Sequence, residues 1–417
     1  LFFLTDCEKK EESMKDMYDV AVVGAGPGGS AAAYYLAKGG LDVLLLDKFS
    51  FPRDKTCGDA LTPRALRVLN EMGILDELLR VGYRLDRIEL IAPKGHSVAA
   101  PVPKKDGRTD YVLIVPRLIL DHIILQRSVS SGVHFESPVR VNGIERDVTG
   151  VIIKGEYLGR AVSYNARMVI VATGANIKLL LQMGLLKKPP LMMLCARAYF
   201  EGMRDVSEEV QCHFDGVPLP GYGWVFPLSD SSANIGAGFF RSGLTARWMP
   251  ATAREAFDTF IQTPLLQNVL RGAQRAGPIK GYPLRVDFAS APTFSDRVML
   301  VGEAAGLVNP VTGEGIDYAL ESAKIAAGHL LSMFAAGDLS DEHLKAYDQS
   351  LRQHYQGLFV LCNRLRFVYL NPLILNRVVT SAAHDQDLMR IFMNIVLENH
   401  NVYEGLTPRT MLKVVFG

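Results

Sequence analysis

Apolar and polar positions along this chain switch between a strand-like and a helix-like rhythm, and the switches mark its units. From residue 18 the run YDVAVV reads as a buried strand, GAGPGGS as a glycine-rich turn, AAAYYLAKGG as a small-residue helix and DVLLLD as a second strand. Residues 18–47 are therefore predicted to form a βαβ unit. Two more apolar β-type runs, 168–172 and 297–301, end at Thr173-Gly174 and Gly302-Glu303. Three strands that stop at glycine turns predict one sheet gathered from distant segments. The stretches 86–115 and 195–238 carry β-type runs broken by Gly and Pro, which predicts a second, mostly antiparallel sheet. Beyond Gly315, apolar residues recur every three to four positions over 316–335, 341–366 and 385–399, predicting a helical C-terminal cap.

Composition narrows the picture. A chain of 417 residues exceeds what one hydrophobic core usually holds, and 48% apolar against 21% charged residues is a globular α/β balance. With 45 basic and 44 acidic residues and no dense basic run, nucleic acid is excluded as an expected partner. The 5 cysteines are scattered without a C-x-x-C pair, so neither a disulfide framework nor a zinc site is expected. No apolar run reaches the roughly 18–20 residues that span a bilayer, and the first residues lack a signal peptide's pattern. A reducing cytosol is the expected compartment. Residues 1–16 precede the first strand and are set aside as a probable tag or a disordered leader.

Candidate chemistry begins at Gly24-Ala-Gly26-Pro27-Gly28-Gly29-Ser30, a G-x-G-x-x-G turn in its required strand–helix context. Such glycines allow a tight turn, approach of a pyrophosphate to the backbone and close helix packing, while the helix start offers free N–H groups. Asp47, 23 residues after Gly24, ends the second strand where an acid would bind an adenosine ribose. A purely structural glycine turn would show the same letters. A second constellation follows at residues 300–316, where a strand end delivers Glu303 and a turn containing Gly313 and Gly315 opens a helix at Ile316. It suits a ribitol and an isoalloxazine edge, which FAD has and NAD lacks.

These elements in order, GAGPGGS, Ala172-Thr173-Gly174 and VGEAAG…P…GEGI, resemble the FAD-dependent superfamily of aromatic hydroxylases, flavin halogenases and geranylgeranyl reductases. Glu303 stands where that superfamily usually has Asp. Two motifs point to one branch: FPRDKTCGDALTPR, with its Cys57-Gly58 pair, and GYGWVFP, similar to the Y-x-W-x-F-P motif of geranylgeranyl reductases. Both are especially similar to the bacterial members that reduce the prenyl tail of menaquinone. A halogenase-like W-x-W is absent, since Tyr222 replaces the first Trp, and Lys55 belongs to the FPRDK run.

The resemblance implies an α/β fold: a discontinuous Rossmann-type FAD-binding domain (17–85, 116–185 and 286–335), an inserted antiparallel β-sheet substrate domain (86–115 and 186–285) and a C-terminal helical cap (336–417). It implies cofactor contacts from Gly24, Gly26, Pro27, Gly28, Gly29, Ser30, Asp47, Lys48, Arg53, Cys57, Gly58, Asp59, Arg117, Ala172, Thr173, Gly174, Gly302, Glu303, Ala304, Pro310, Gly313, Gly315 and Ile316. Cys57 and Gly58 would be catalytic, the thiol controlling protonation of the substrate carbon or access to the flavin. Its reactivity would rise if Lys55 or Arg53 lowered its pKa. The plain alternative is a small packed residue. Tyr222, Trp224, Phe226 and Pro227 would line an apolar substrate pocket, the alternative being ordinary core. Arg117 either opens a helix near FAD or is an exposed helical Arg paired with Asp121.

The implied reaction is reduction of isoprenoid C=C bonds, a geranylgeranyl or menaquinone chain held against reduced flavin N5 while a proton reaches the other carbon. No second nucleotide fold is visible, so NADPH would bind transiently, or a ferredoxin or quinol would supply electrons. Residues 358–379 are apolar with Arg364, Arg366 and Arg377 interspersed, which fits either a helix lying on the inner membrane face or a cap over the substrate tunnel. The competing functions are an aromatic monooxygenase or halogenase-like enzyme, and a non-redox isoprenoid isomerase or cyclase using FAD structurally. Substrate identity, number of bonds reduced and oligomeric state are not encoded in any motif.

Overall fold

The computed structural model describes residues 17–103, 111–147, 149–241, 248–369, 371–397 and 407. The leader at 1–16 and the end of the last predicted helix, 398–399, lie outside them. The first strand, β1 (Tyr18–Val23), runs into helix α1 (Pro27–Lys38) and then strand β2 (Val43–Leu46). All four residues of β2 are buried on both faces, as parallel strands between helices are, and each such side chain contributes about 1.5–3 kcal/mol relative to exposure. Pro27 sits at the helix start, where its missing N–H costs nothing.

In the first sheet β1 lies between β2 and Arg160–Val171, both parallel to it, with Val23 opposite Val171 and Leu46. Val298–Leu300 adds in parallel on the far side of Arg160–Val171. The three glycine-ended runs are thus neighbours in one sheet, as their shared ending predicted. A hairpin, Val139–Arg146 and Val151–Tyr157, extends antiparallel from the first half of Arg160–Val171.

The second sheet has seven strands, in the order Gln274–Arg285, Met192–Glu201, Ser232–Phe239, Gly221–Ser229, Val210–His213, Arg87–Ile91 and Ser97–Pro101. Its pairs are antiparallel except Val210–His213 with Arg87–Ile91. The run 86–115 does not stay together: Val112–Ile114 leaves for a small sheet with Ala60–Leu61 and Tyr83–Leu85.

The helix Ile316–Ala336 packs against α1 through small residues. A Cβ on Gly28 would lie 3.3 Å from the Ala319 Cβ and 3.2 Å from its carbonyl oxygen. Asp341–Tyr369, Pro372–His384 and Gln386–Val396 follow. Val379, Ala382, Leu388 and Met389 share one buried cluster with Met193, Cys195, Trp224 and Phe226, so these last helices close over the seven-stranded sheet.

Arg366 does not face outward as a headgroup-binding helix requires. It is 7% exposed, stacks 4.4 Å over the Phe240 ring and has its pKa lowered by burial. Arg364 and Arg377 are exposed. Among the described residues no helix is long and apolar enough to cross a membrane.

Candidate active site

A single cavity of about 590 Å³ runs from the glycine turn after β1 to the C-terminal helices. At one end its wall is backbone and charge: Gly24, Gly26, Pro27, Gly28, Asp47 and Lys48. At the other end it is apolar: Ile88, Leu90, Met193, Leu284, Leu361, Leu375, Val378 and Leu397.

The glycines of the first turn have separate reasons. Gly24 has φ +108°, and a Cβ there would meet the Ala172 carbonyl at 2.4 Å; a Cβ on Gly29 would sit 1.7 Å from the Gly24 carbonyl oxygen. Both are required by the protein's own backbone. Gly26 is different, because its nearest neighbour would be an Arg53 side-chain nitrogen at 3.6 Å, leaving its free side toward the cavity. The buried Arg53 Nε has no hydrogen-bond partner, although the guanidinium pairs with Asp121 at 2.9 Å. An open glycine at a helix N-terminus and a buried donor without an acceptor fit a pyrophosphate-bearing group.

Asp47 accepts from Ala25 N at 2.8 Å and from Phe49 N at 2.9 Å, which fixes its carboxylate on the cavity wall. Next to it, Lys48 has its pKa lowered by burial and by Arg140, Arg53 and Lys55, against the pull of Asp47. Glu303 accepts from Arg285 N at 3.1 Å and from Lys55 Nζ at 3.3 Å. Ala172, Thr173, Gly174, Gly302, Gly313, Gly315 and Ile316 also line the cavity. Gly29, Ser30, Ala304 and Pro310 are not on its wall. Ser30 is fully buried, its hydroxyl donating to Ala25 O at 3.0 Å.

At mid-cavity the two motifs meet. A Cβ on Gly58 would lie 2.8 Å from the Phe226 ring and 3.5 Å from Trp224 Nε1, so this glycine lets the Cys57 turn rest on the aromatic strand. Tyr222, Trp224 and Phe226 share one face, with ring centroids 5.9 and 6.2 Å apart. All three line the cavity. Pro227 does not, because the alternation of a strand turns it to the other face.

The cation whose charge Cys57 influences is Arg117. Lys55 is bound to Glu303 and Arg53 to Asp121, whereas Arg117 pairs with Asp121 at 2.6 and 2.8 Å and lies near enough to Cys57 for the two to interact electrostatically. Burial opposes its charge, but Asp121 and Cys57 outweigh that and raise its pKa. Arg117 is thus paired with Asp121 yet 4% exposed and on the cavity wall, a combination of the two expectations.

Behind this turn lies a polar cluster in which Asp59 comes from the Cys57 motif, whereas Tyr199 and Asn234 belong to no motif. Asp59, with φ 68° and no exposed surface, accepts from Tyr199 OH at 2.7 Å, Asn234 Nδ2 at 2.7 Å and Arg117 N at 3.3 Å. Asn234 Nδ2 also donates to the Cys57 carbonyl at 2.7 Å, and its Oδ1 accepts from Trp224 Nε1 at 3.0 Å. Burial pushes the Asp59 carboxyl up to about 6 against the pull of Tyr199, Asn234, Arg197 and Arg117. Cys195 and Cys212 line the same cavity, and burial holds both thiols protonated, Cys212 up to about 12.

Comparison with known proteins agrees with this geometry. The family described as an FAD binding domain matches residues 17–185. Menaquinone reductase of Mycolicibacterium smegmatis is 32% identical over 400 residues, 92% of each chain. Digeranylgeranylglycerophospholipid reductase 1 of Methanopyrus kandleri is 30% identical over 89% of this chain and 95% of its own. The chain belongs to the geranylgeranyl reductase family of FAD-dependent oxidoreductases. FAD is the family's cofactor and this chain's. Conditioned medium factor receptor 1 of Dictyostelium discoideum is 30% identical over 87% of this chain and 73% of its own. Among solved structures, a geranylgeranyl bacteriochlorophyll reductase-like protein from Thermoplasma acidophilum shares the fold of this geranylgeranyl reductase relative, with TM-score 0.79 and 22% identity over 94% and 99% of the two chains.

Proposed function

We propose that this protein reduces C=C bonds of a long isoprenoid chain, such as the prenyl tail of a quinone or a geranylgeranyl lipid, at FAD. The observation that carries the reading is one cavity whose polar end suits a dinucleotide, whose apolar end suits a hydrocarbon chain, and whose middle holds Cys57, Gly58 and the Tyr222–Trp224–Phe226 face. The names of the relatives, menaquinone reductase and digeranylgeranylglycerophospholipid reductase, support a prenyl substrate.

In this reading the Gly26 backbone and the start of α1 would hold the pyrophosphate, Asp47 the adenosine ribose, Glu303 the ribitol, and the 313–316 turn the flavin end of the cofactor. When bound and reduced, FAD supplies an electron pair and one hydrogen. The protein's own work is alignment and protonation. An isolated alkene is weakly polarised, so the apolar wall and the aromatic face must hold one carbon at the reducing edge, and the Cys57 thiol presents the proton to the other. Arg117 then compensates the thiolate's charge. NADPH or another reductant would visit transiently, and contact with a membrane surface would deliver the substrate; Leu373, 75% exposed at the start of Pro372–His384, suits such contact.

The test is anaerobic. The flavin-loaded protein is photoreduced, mixed with a menaquinone or geranylgeranyl compound, and its products are weighed. Products heavier by two hydrogens per reduced bond are expected. No hydrogenated product, with rapid oxygen-dependent hydroxylation of an aromatic compound instead, would overturn the reading in favour of a monooxygenase.

A further inference from the structure

Residues 53–59 run along the cavity wall without forming helix or strand, and they are held from two directions. Arg53 pairs with Asp121 of the helix Arg117–Val129, and Lys55 with Glu303, just past the end of Val298–Leu300, so both are tied to the side of the parallel sheet. Asp54, between them, is tied the other way. It pairs with Arg197 and, at 2.7 Å, with Lys280, both from the seven-stranded sheet. Further on, the Cys57 carbonyl accepts from Asn234 of that same sheet.

Arg197 and Lys280 are costly neighbours. They stand directly opposite each other on the paired strands Met192–Glu201 and Gln274–Arg285, and the Arg197 side chain is 2% exposed. Like charges facing across an antiparallel pair destabilise it, and burial sharpens the repulsion. A carboxylate between them removes that cost, and Asp54 gives one oxygen to each. Arg197 Nη2 also lies 3.5 Å from the Lys55 carbonyl, which extends the grip along the loop. The sheet thus carries a two-cation socket whose occupant sits three residues before the thiol.

Resting on the reductase reading, we propose that Asp54 is a positioning residue: seated on Arg197 and Lys280, it holds the Cys57–Gly58 turn against the Trp224–Phe226 face, in reach of the alkene carbon to be protonated. It acts through the loop and not on the substrate. With Asp54 in its socket and Asn234 on the Cys57 carbonyl, the turn is fixed to the aromatic sheet on both sides. Without Asp54, the upstream side is left to Arg53 and Lys55, whose partners draw it toward the parallel sheet. A displacement of about 1 Å is enough to cost about 10²-fold in rate.

Two readouts on the flavin-loaded protein test this, in Asp54→Asn and in the double variant Asp54→Asn/Lys280→Met, which removes the charge opposition that the single change leaves behind. The first is alkylation by iodoacetamide, followed cysteine by cysteine through peptide masses. Cys57 should react several-fold faster in both variants than in wild type, while Cys195 and Cys212, held on paired strands, keep their rates. The second is isoprenoid reduction, in which kcat should fall by about 10²-fold with KM and bound flavin little changed. The double variant should regain the thermal stability that the single variant loses, yet keep both defects. Recovery of kcat together with stability, or a wild-type alkylation rate at Cys57 in the double variant, overturns the positioning role. Wild-type protein that reduces no isoprenoid overturns the reductase reading instead, and the alkylation rates still decide whether Asp54 holds the Cys57 turn.

Discussion

Gly26 and Gly29 stand three positions apart in one motif and fail differently when substituted. Gly26→Val places its side chain on the cavity side, where only Arg53 is near, so folded protein with little or no flavin is expected. Gly29→Ala drives a Cβ into the Gly24 carbonyl, so loss of the folded state is expected as well. Thermal unfolding beside flavin absorbance separates the two. Asp59 makes a pH prediction with a definite sign. Its folded pKa of about 6 lies above the ordinary 3.8, so the folded state binds that proton more tightly. The contribution is full below the ordinary value and is lost as pH rises through about 6, a difference of about 3 kcal/mol. Asp59→Asn should flatten that limb in denaturant titrations between about pH 4 and pH 7.

These residues also mark how far reading the chain reaches. Glycines that the backbone needs, and an acid ending a strand, announce themselves because the constraint is local. Arg117 as the cation near Cys57, and Tyr199 and Asn234 as partners of Asp59, do not, because tertiary folding brings them across more than 50 residues. The nearest cations in sequence, Lys55 and Arg53, are drawn off by Glu303 and Asp121.

The strand Gly221–Ser229 shows the same division among elements. Its period of two correctly places Tyr222, Trp224 and Phe226 together, and the same period sends Pro227 away. What the alternation does not reveal is the partner strand. Trp224 fits only because Gly236 opposite it lacks a side chain; a Cβ there would lie 2.1 Å from the indole ring. Gly236→Ala should therefore displace Trp224, release Asn234 from Cys57 and lower turnover with FAD retained, as flavin fluorescence and product mass can follow. The apolar stretch 358–379, read as surface or cap, breaks where a proline predicts it should, and a separate helix, Pro372–His384, begins there. Leu375 and Val378 are each 2% exposed and face the cavity. Val378→Trp should shorten the apolar end, costing about 1–3 kcal/mol of stability and shifting products toward fewer reduced bonds or shorter chains.

For the whole molecule, the two sheets divide the labour: the parallel one ends its strands at the cavity's polar end, and the antiparallel one supplies the aromatic face. The division was readable from the two rhythms of the chain. The departure of Val112–Ile114 to a third sheet was not, since three residues carry no period. The order of strands in the parallel sheet has a consequence for biosynthesis. β1 emerges from the ribosome long before Val298–Leu300, and until that later segment is made the sheet lacks this strand and the cavity lacks Gly302, Glu303 and Ile316. In that interval the nascent chain must carry an apolar, unclosed sheet edge, and aggregation competes with folding. A chain stopped at residue 285, although it retains the whole 17–185 match, should form no yellow protein and should associate with chaperones during translation. Flavin would then be captured only as a late, committing step of folding.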